Sequence, residues 1–372
     1  MNRKFRMLAL VIAATLLSGC WDFQEVGTLS FATTVGIDRG PGNRVGLTVQ
    51  IPITQNALPP VVGGGQAGKK FYMISLTART VNEAFDHLET RTDRTLVLNQ
   101  NKSIIISETA ARHDVQALLD YLTRMAQAPL QALVFVTDGI TALDVLKLDP
   151  IQNILPGMLF INSGQSVTKS DEAFYIPLWQ FQQKLVHKSK DVFAPLVRID
   201  RAHRVHDISG LAVFNGNRLA GKLTPEETES FGLIAGLSKA GMTMFSSPQG
   251  EITLRTLQAK TRIKVRLRQG SPFFKVHTEV FGSVSENTGG PTVSSPREIN
   301  VYQRMVAKEI RGDLEDLIKK LQSFNSDVIN FGEEFRVQHQ AAWQKTDWKA
   351  VYPTVPFAVK VKVRILSNGR FR

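Results

Sequence analysis

Residues 102–137 read KSIIISETAARHDVQALLDYLTRMAQAPLQALVFVT, and they decide the fold class. Ile104, Ile105 and Ile106 form a short unbroken apolar run, the pattern of a strand covered on both faces. Asp114 then offers a capping carboxylate to a helix whose Val115, Leu118, Leu119, Leu122 and Met125 share one side. Gln131 to Thr137 returns to a strand. Strand, helix and strand in so short a stretch mark a mixed α/β unit.

Upstream, Leu29 to Asp38 and Arg44 to Ile53 read as two strands, with Val45, Leu47, Val49, Ile51 and Ile53 alternating strictly in the second. Asp38-Arg39-Gly40-Pro41-Gly42-Asn43 is turn-rich, so the pair forms a hairpin. Phe71 to Arg79 is a third strand. Thr80-Val81-Asn82-Glu83 has the form of a capping box and opens a helix burying Ala84, Phe85 and Leu88. Phe174 to His187 reads as a helix leading out of this unit.

Downstream, Asp207 to Phe214 and Arg218 to Lys222 flank Asn215-Gly216-Asn217, a hairpin signal of the type I′ kind. Thr224-Pro225-Glu226-Glu227 predicts a capping box with a first-turn proline, and a helix through Leu237. Farther on, Ile263, Val265 and Leu267 alternate with Arg262, Lys264, Arg266 and Arg268, and Phe274, Val276, Thr278 and Val280 continue the sheet. Ser295-Pro296-Arg297-Glu298 predicts a third box. After it, Ile299, Tyr302, Val306, Ile310, Leu314, Leu317, Leu321 and Phe324 recur at helical spacing, giving one long amphipathic helix. Phe357, Val359, Val361, Val363 and Ile365 then alternate with Lys360, Lys362 and Arg364.

The expected fold is therefore α+β. Three mixed α/β domains, each a largely antiparallel or mixed sheet packed with helices, follow a cleaved signal peptide. The divisions fall at 1–19 for the signal and 20–190 for an N-terminal domain. A middle hairpin with its capped helix takes 191–257, and an antiparallel sheet with the long helix takes 258–372.

The N-terminus carries the functional signal. Arg3, Lys4 and Arg6 precede an uncharged run from Met7 to Leu17, closed by Leu17-Ser18-Gly19-Cys20. Eleven helical residues rise only ~16 Å against a hydrocarbon core of ~30 Å, so the run is a signal h-region and does not span. Leu-Ser-Gly-Cys is a bacterial lipobox, in which the Cys20 sulfur takes a diacylglyceryl group and the signal is cut before it. An ordinary secretory signal with an incidental cysteine is the plainer alternative. Cys20 is the single cysteine of the 372-residue chain, which excludes disulfide scaffolds and cysteine-rich zinc sites. No later segment approaches the ~18 uninterrupted apolar residues of a span.

The chain carries 45 basic and 33 acidic residues, a formal +12. Three of the basic residues belong to the signal, so the mature chain keeps a surplus of nine. Such a surplus suits an anionic membrane surface, and export argues against nucleic acid as the partner. If the two basic strands neighbour each other, Arg262, Lys264, Arg266, Arg268, Lys360, Lys362 and Arg364 share one solvent face, suited to lipid headgroups or an acidic partner. An ordinary solvated face with edge-protecting lysines is the bland account of the same residues.

Other motifs weigh less. Gly63 to Lys69 satisfies G-x-x-x-x-G-K, but Lys70 stands where a magnesium-binding hydroxyl belongs and a strand follows in place of a helix. His203 and His206 with Asp200 and Asp207 are possible zinc donors, yet neither a Cys pair nor H-E-x-x-H supports them, and a solvated loop accounts for them. Trp343 and Trp348 beside Tyr352-Pro353 suggest core or helix–sheet packing ahead of a ligand box. Trp21 and Asp22 are either tether or a contact with the membrane interface, where tryptophan is at home. No G-x-S-x-G occurs, so no catalytic constellation and no cofactor site is expected.

Several segments together resemble a known family. They are Gly19-Cys20-Trp21-Asp22-Phe23-Gln24-Glu25, Val35-Gly36-Ile37-Asp38, Val49-Gln50-Ile51, Lys102-Ser103-Ile104-Ile105-Ile106 and Gly210 to Gly221. Asp327-Val328-Ile329-Asn330-Phe331-Gly332-Glu333 follows, then Trp343, Trp348 and Tyr352-Pro353. In this order they resemble the Ger(x)C spore-germination lipoproteins, the C subunits of nutrient germinant receptors. The resemblance implies a three-domain lipoprotein on the outer face of the spore inner membrane, assembled with two integral-membrane subunits. It implies no enzymatic activity, a small-molecule germinant bound by the complex rather than by this chain alone, and Cys20 as the lipidated residue. Two other readings compete: a lipid-anchored extracytoplasmic solute-binding protein, and a cell-wall hydrolase.

Overall fold

A computed structural model describes residues 7, 25–53, 71–125, 127–148, 160, 171–239, 241–247, 250–287 and 296–367. The lipobox at Cys20, Trp21 and Asp22, the glycine loop 63–69 and the cap at Ser295 lie outside these residues.

The sequence suggests one strand over 29–38, and the structure divides it. β1 (Leu29–Phe31) and β2 (Thr34–Arg39) are separated at Ala32 and Thr33. There the backbone N–H of Ala32 donates to Val97 and that of Thr33 to Gln50, so the chain steps between two sheets. β3 (Val45–Pro52), β4 (Phe71–Ala78), β5 (Thr95–Val97), β6 (Ser103–Ile106), β7 (Leu133–Thr137), β8 (Phe193–Asp200), β9 (Val205–Asn215) and β10 (Arg218–Leu223) follow. β1 pairs with β5 alone, in parallel. The others form one eight-stranded sheet in the order β10-β9-β8-β7-β6-β2-β3-β4. Its centre, β8-β7-β6-β2, is parallel, and an antiparallel wing closes each side.

The triple isoleucine sits at that parallel centre and is fully buried on both faces. Ile104 and Ile106 meet the helices α1 (Val81–Glu89), α2 (Glu108–Ala111), α3 (Val115–Arg124) and α5 (Leu178–Leu185). Ile105 and Phe135 face the other way, against α4 (Ala142–Lys147) and Phe160. Asp114 accepts from the Ala117 N–H at 3.1 Å and starts α3 where the sequence predicts. Thr80 caps α1 by accepting from Glu83 N–H, but the Glu83 carboxylate turns to Arg79 N–H at 2.7 Å, so the expected reciprocal box is half made.

The β9–β10 turn also departs from expectation. Its central residues are Gly216 and Asn217, and only Gly216 has positive φ, at 58°. A type I′ turn needs positive φ at both positions, so this glycine takes the place it holds in a type II′ turn. At 225–235 the complete predicted box appears. Thr224 accepts from Glu227 N–H, the Glu227 carboxylate accepts from Thr224 N–H, and α6 (Pro225–Ala235) ends on a left-handed Gly236.

The second sheet holds β11 (Met242–Ser247), β12 (Gly250–Arg268), β13 (Ser271–Asn287) and β14 (Phe357–Ser367) in that order. The long helix α7 (Pro296–Ser323) buries Val306, Ile310, Leu314, Leu317, Ile318 and Leu321. After it come α8 (Phe331–Gln338), α9 (Gln340–Trp343) and α10 (Trp348–Val351). Sequence reading expects an antiparallel sheet here, but β14 pairs parallel with β13. The reason is the connection: α7 carries the chain back past the sheet before β14 begins, as a crossover between parallel strands requires.

The two sheets share a wall. Along β8 and β9, Ala194, Ala212 and Phe214 enter the N-terminal core, whereas Phe193, Leu211 and Val213 enter the core built on α6, α7 and the second sheet. The hairpin that the sequence groups with α6 thus continues the N-terminal sheet and packs on both sides.

Candidate functional site: a cationic sheet face and a buried junction

Alternation along β12 turns Ile263 and Val265 to the core and its cations outward. Val265 is 6% exposed, and Lys260, Arg262, Lys264, Arg266 and Arg268 are all exposed. β14 repeats the pattern, with Val359 and Val363 buried and Lys360, Lys362 and Arg364 exposed. The two basic strands are not direct neighbours, because β13 lies between them. Its register still brings the predicted cations onto one face: Arg262 opposes His277, which opposes Lys360, and Lys264 opposes Lys275. Thus all seven predicted cations share the face, and Lys260, Lys275 and His277 extend it. The sequence carried that signal, since Lys275 and His277 alternate with the buried Phe274, Val276 and Thr278.

One acid sits among them. Glu279 accepts from Arg364 Nε at 2.6 Å and lies 3.7 Å from Lys362 Nζ; the Arg364 hydrogen bond holds its carboxyl below the usual range. Arg268 stacks over the Phe273 ring at 3.7 Å, and Lys260 and Arg364 lie over Phe281. The aromatic surface of the face is therefore covered by its own cations.

Behind this sheet lies a buried polar junction. Asp327, 1% exposed, accepts from the N–H groups of Phe331 (2.8 Å) and Gly332 (2.6 Å) and from Trp348 Nε1 (3.0 Å). It thereby satisfies the first turn of α8, whose own N-cap, Asn330, makes no side-chain cap. Burial pushes the Asp327 carboxyl up to about 8; the Gly332 and Phe331 donors oppose this, and the Asp191 charge adds to it. Asp191 accepts from Asp327 N–H (2.7 Å), Gly216 N–H (2.8 Å) and Lys349 Nζ (2.6 and 2.7 Å). Around it, Phe274 stacks on Phe331 at 4.4 Å and Trp348 contacts Trp343 and Tyr352, so the predicted packing role of these aromatics holds. The junction ties the start of β8 and the β9–β10 turn to α8 and α10. Sequence reading noticed the Asp327 to Glu333 segment but missed Asp191 and Lys349, whose partners are remote in the chain.

The carboxyl edge of the parallel strands, where open α/β sheets hold ligands, is occupied by the protein's own groups. Asp38, at the end of β2, accepts from Ala142 N–H (2.8 Å) and Leu143 N–H (3.0 Å) at the start of α4. Lys222 Nζ bridges Asp138 (2.6 Å) and Glu108 (3.0 Å), and Arg198 Nε donates to Asp138 (2.6 Å). Burial raises the Asp138 and Glu108 carboxyls, but Lys222 and Arg198 at Asp138, and Arg112 (2.6 Å) with Lys222 at Glu108, outweigh it and hold both below their usual range.

The two histidines go separate ways. His203 Nδ1 lies 2.6 Å from Asp200 in an exposed turn. His206 is mostly buried, with Nε2 2.9 Å from the Val145 carbonyl and its ring 5.1 Å from Phe160. Among the described residues, no group of three His, Cys, Asp or Glu side chains is arranged to hold a metal ion. No helix among them is long and apolar enough to cross a membrane.

Comparison with known proteins agrees with this architecture. Residues 22–199 match the family described as spore germination protein N-terminal domain, and residues 209–369 match spore germination B3/GerAC like, C-terminal. The chain is 24% identical to a putative spore germination protein, YfkR, of Bacillus subtilis (strain 168), covering 98% of this chain and 97% of that one. It is 22% identical to spore germination protein GerQC of Bacillus cereus, covering 98% and 99%. Among solved structures, the GerBC protein superposes with a TM-score of 0.60 at 18% identity, covering 93% of this chain and all of that one.

Proposed function

Because the chain belongs to the GerAC family of spore germination proteins, we propose that it is the lipid-anchored C subunit of a nutrient germinant receptor. The observation that carries this reading is coverage: both family halves match in order and relatives align along almost the whole chain. Cys20, in its lipobox, takes the diacylglyceryl group and holds the folded part on the outer face of the spore inner membrane. Two acyl chains, at ~0.8 kcal/mol per buried methylene, make that attachment stable. The subunit is non-catalytic and works by assembly with two integral-membrane subunits, the germinant being bound by the complex. The occupied carboxyl edge of the parallel strands supports an assembly role over solute capture, since Asp38, Asp138, Glu108, Lys222 and Arg198 already satisfy one another or the backbone there.

The test is nutrient-triggered release of core solutes from spores of the native host, comparing wild type, a deletion of this chain and Cys20→Ala. Both mutants should fail with one nutrient class and respond to others. Normal responses to every nutrient after removal of paralogues would refute the reading. Micromolar binding of a nutrient to the isolated chain would favour a solute-binding protein instead.

A further inference from the structure

The uncovered face of the second sheet is a flat cationic surface backed by a rigid core. Nine lysines and arginines occupy it: Lys260, Arg262, Lys264, Arg266 and Arg268 on β12, Lys275 on β13, and Lys360, Lys362 and Arg364 on β14. Among the described residues Glu279 is the one acid within this patch, and it is spent on Arg364 and Lys362. The positive surface continues around the β14 edge into a groove of about 360 Å³, where Arg304, Lys308 and Arg311 of α7 stand beside Lys360.

Three features identify what such a face fits. The sheet's outer backbone groups are already engaged: Gln338 bonds Val265 N–H and the Ile263 carbonyl, His339 bonds the Val265 carbonyl, and Gln303 accepts from Ile365 N–H. Strand addition by a peptide partner is thereby blocked at those positions. Second, the aromatic rings of the face are not open anchors, because Phe273 and Phe281 lie under Arg268, Lys260 and Arg364, and its exposed aliphatics, Leu257 and Leu366, stand at one end away from the cationic centre. Protein interfaces are built the opposite way, with charge depleted at the centre and aromatic groups enriched there. Third, like charges recur every second residue on β12 and on β14, spaced ~6.6 Å along each strand, with Lys275 of β13 between the two rows. That is a sheet of positive charge matched to a sheet of negative charge.

We propose that the β12–β13–β14 face docks flat on anionic phospholipid headgroups, fixing the orientation of the tethered subunit on its membrane. This rests on the membrane-attached reading above, and the experiment separates the two. The lipidated full chain is reconstituted on vesicles of phosphatidylcholine alone, or of phosphatidylcholine with phosphatidylglycerol. Lysines are then acetylated and quantified by mass spectrometry, with Lys188 as internal reference. Flotation with the neutral vesicles reports on the anchor; its failure would count against lipidation alone, because the same chain still meets the anionic vesicles.

Labelling of an occluded amine follows the undocked fraction, so Lys264, Lys275, Lys360 and Lys362 should label about tenfold more slowly if the face is docked nine-tenths of the time. The protection should appear only on anionic vesicles and should vanish in 1 M salt, where the screening length is ~3 Å. It should also vanish in the R262E/K264E/R266E/K360E variant. A milder set, Lys264→Gln with Lys360→Gln, keeps the test available if four reversals disturb folding, and should give intermediate protection. Equal labelling on the two vesicle types would overturn the proposal. So would protection that appears only when the integral-membrane subunits are added, which would assign the face to an acidic protein surface.

Discussion

Replacing Lys349 by Met tests whether the buried junction is a true connection between the two sheets. Lys349 Nζ gives Asp191 two contacts of 2.6 and 2.7 Å and Asn215 one of 2.8 Å, and Asp191 is 2% exposed. Removing the cation leaves a buried carboxylate with only the backbone donors of Gly216 and Asp327. Breaking a buried pair costs about 3–5 kcal/mol, but Lys349 is 38% exposed and solvent screening trims this to about 2–3 kcal/mol. At ~2 °C per kcal/mol for a chain this large, the melting temperature should fall by about 4–6 °C. Calorimetry of wild type, Lys349→Met, Asp191→Asn and the double variant closes the cycle, and the double variant should be less damaged than the two singles summed. An unchanged melting temperature for Lys349→Met, or strictly additive effects, would refute the coupling and reduce the junction to incidental contacts.

Other outcomes follow from the same geometry. Burial, with Asp171, Glu172 and Glu226 nearby, pushes Glu229 up to about 8 in the groove between α6 and α7. A carboxyl raised on folding favours the native state fully below its unfolded pKa, and that contribution is lost as pH climbs through about 8. Stability should therefore drop by about 1–2 kcal/mol between pH 5 and 8.5, and Glu229→Gln should flatten this part of the pH–melting profile. Gly210 has φ +83°, and an added Cβ would lie 2.5 Å from the Leu223 carbonyl oxygen. Gly210→Ala should cost more than about 2 kcal/mol by urea denaturation, while Gly312→Ala, in open space on α7, should leave stability unchanged or improve it. Cys20→Ala should move the chain from the detergent phase to the aqueous phase on phase partition.

Local rules made much of this fold legible. The triple isoleucine announced a strand buried on both faces, and it lies at the centre of the parallel sheet with Ile105 turned away from its two neighbours. Alternation along β12 and β14 was enough to foresee a basic side on each strand, because period two is a property of the strand itself; that the two sides share one face depends on β13 lying between them in register. The parallel pairing of β14 was harder, since alternation says which way a side chain points and nothing about which way the neighbouring strand runs. The Asp191–Asp327–Lys349 junction left no local trace. Its partners stand 136 and 158 positions apart, and an aspartate with a buried partner looks in sequence like any solvated one. Within the Thr80 box the pattern was present but Arg79 outcompeted the cap for Glu83, a choice that the four-letter motif does not encode.

Adjacent residues on β8 and β9 feed different cores, and this has a mechanical meaning. A displacement imposed on α7 passes through the shared core into Phe193, Leu211 and Val213, and with them into the ribbon whose reverse side seats Phe181 through Phe214. Such a body behaves as a stiff plate, so whatever tilts one end tilts the other.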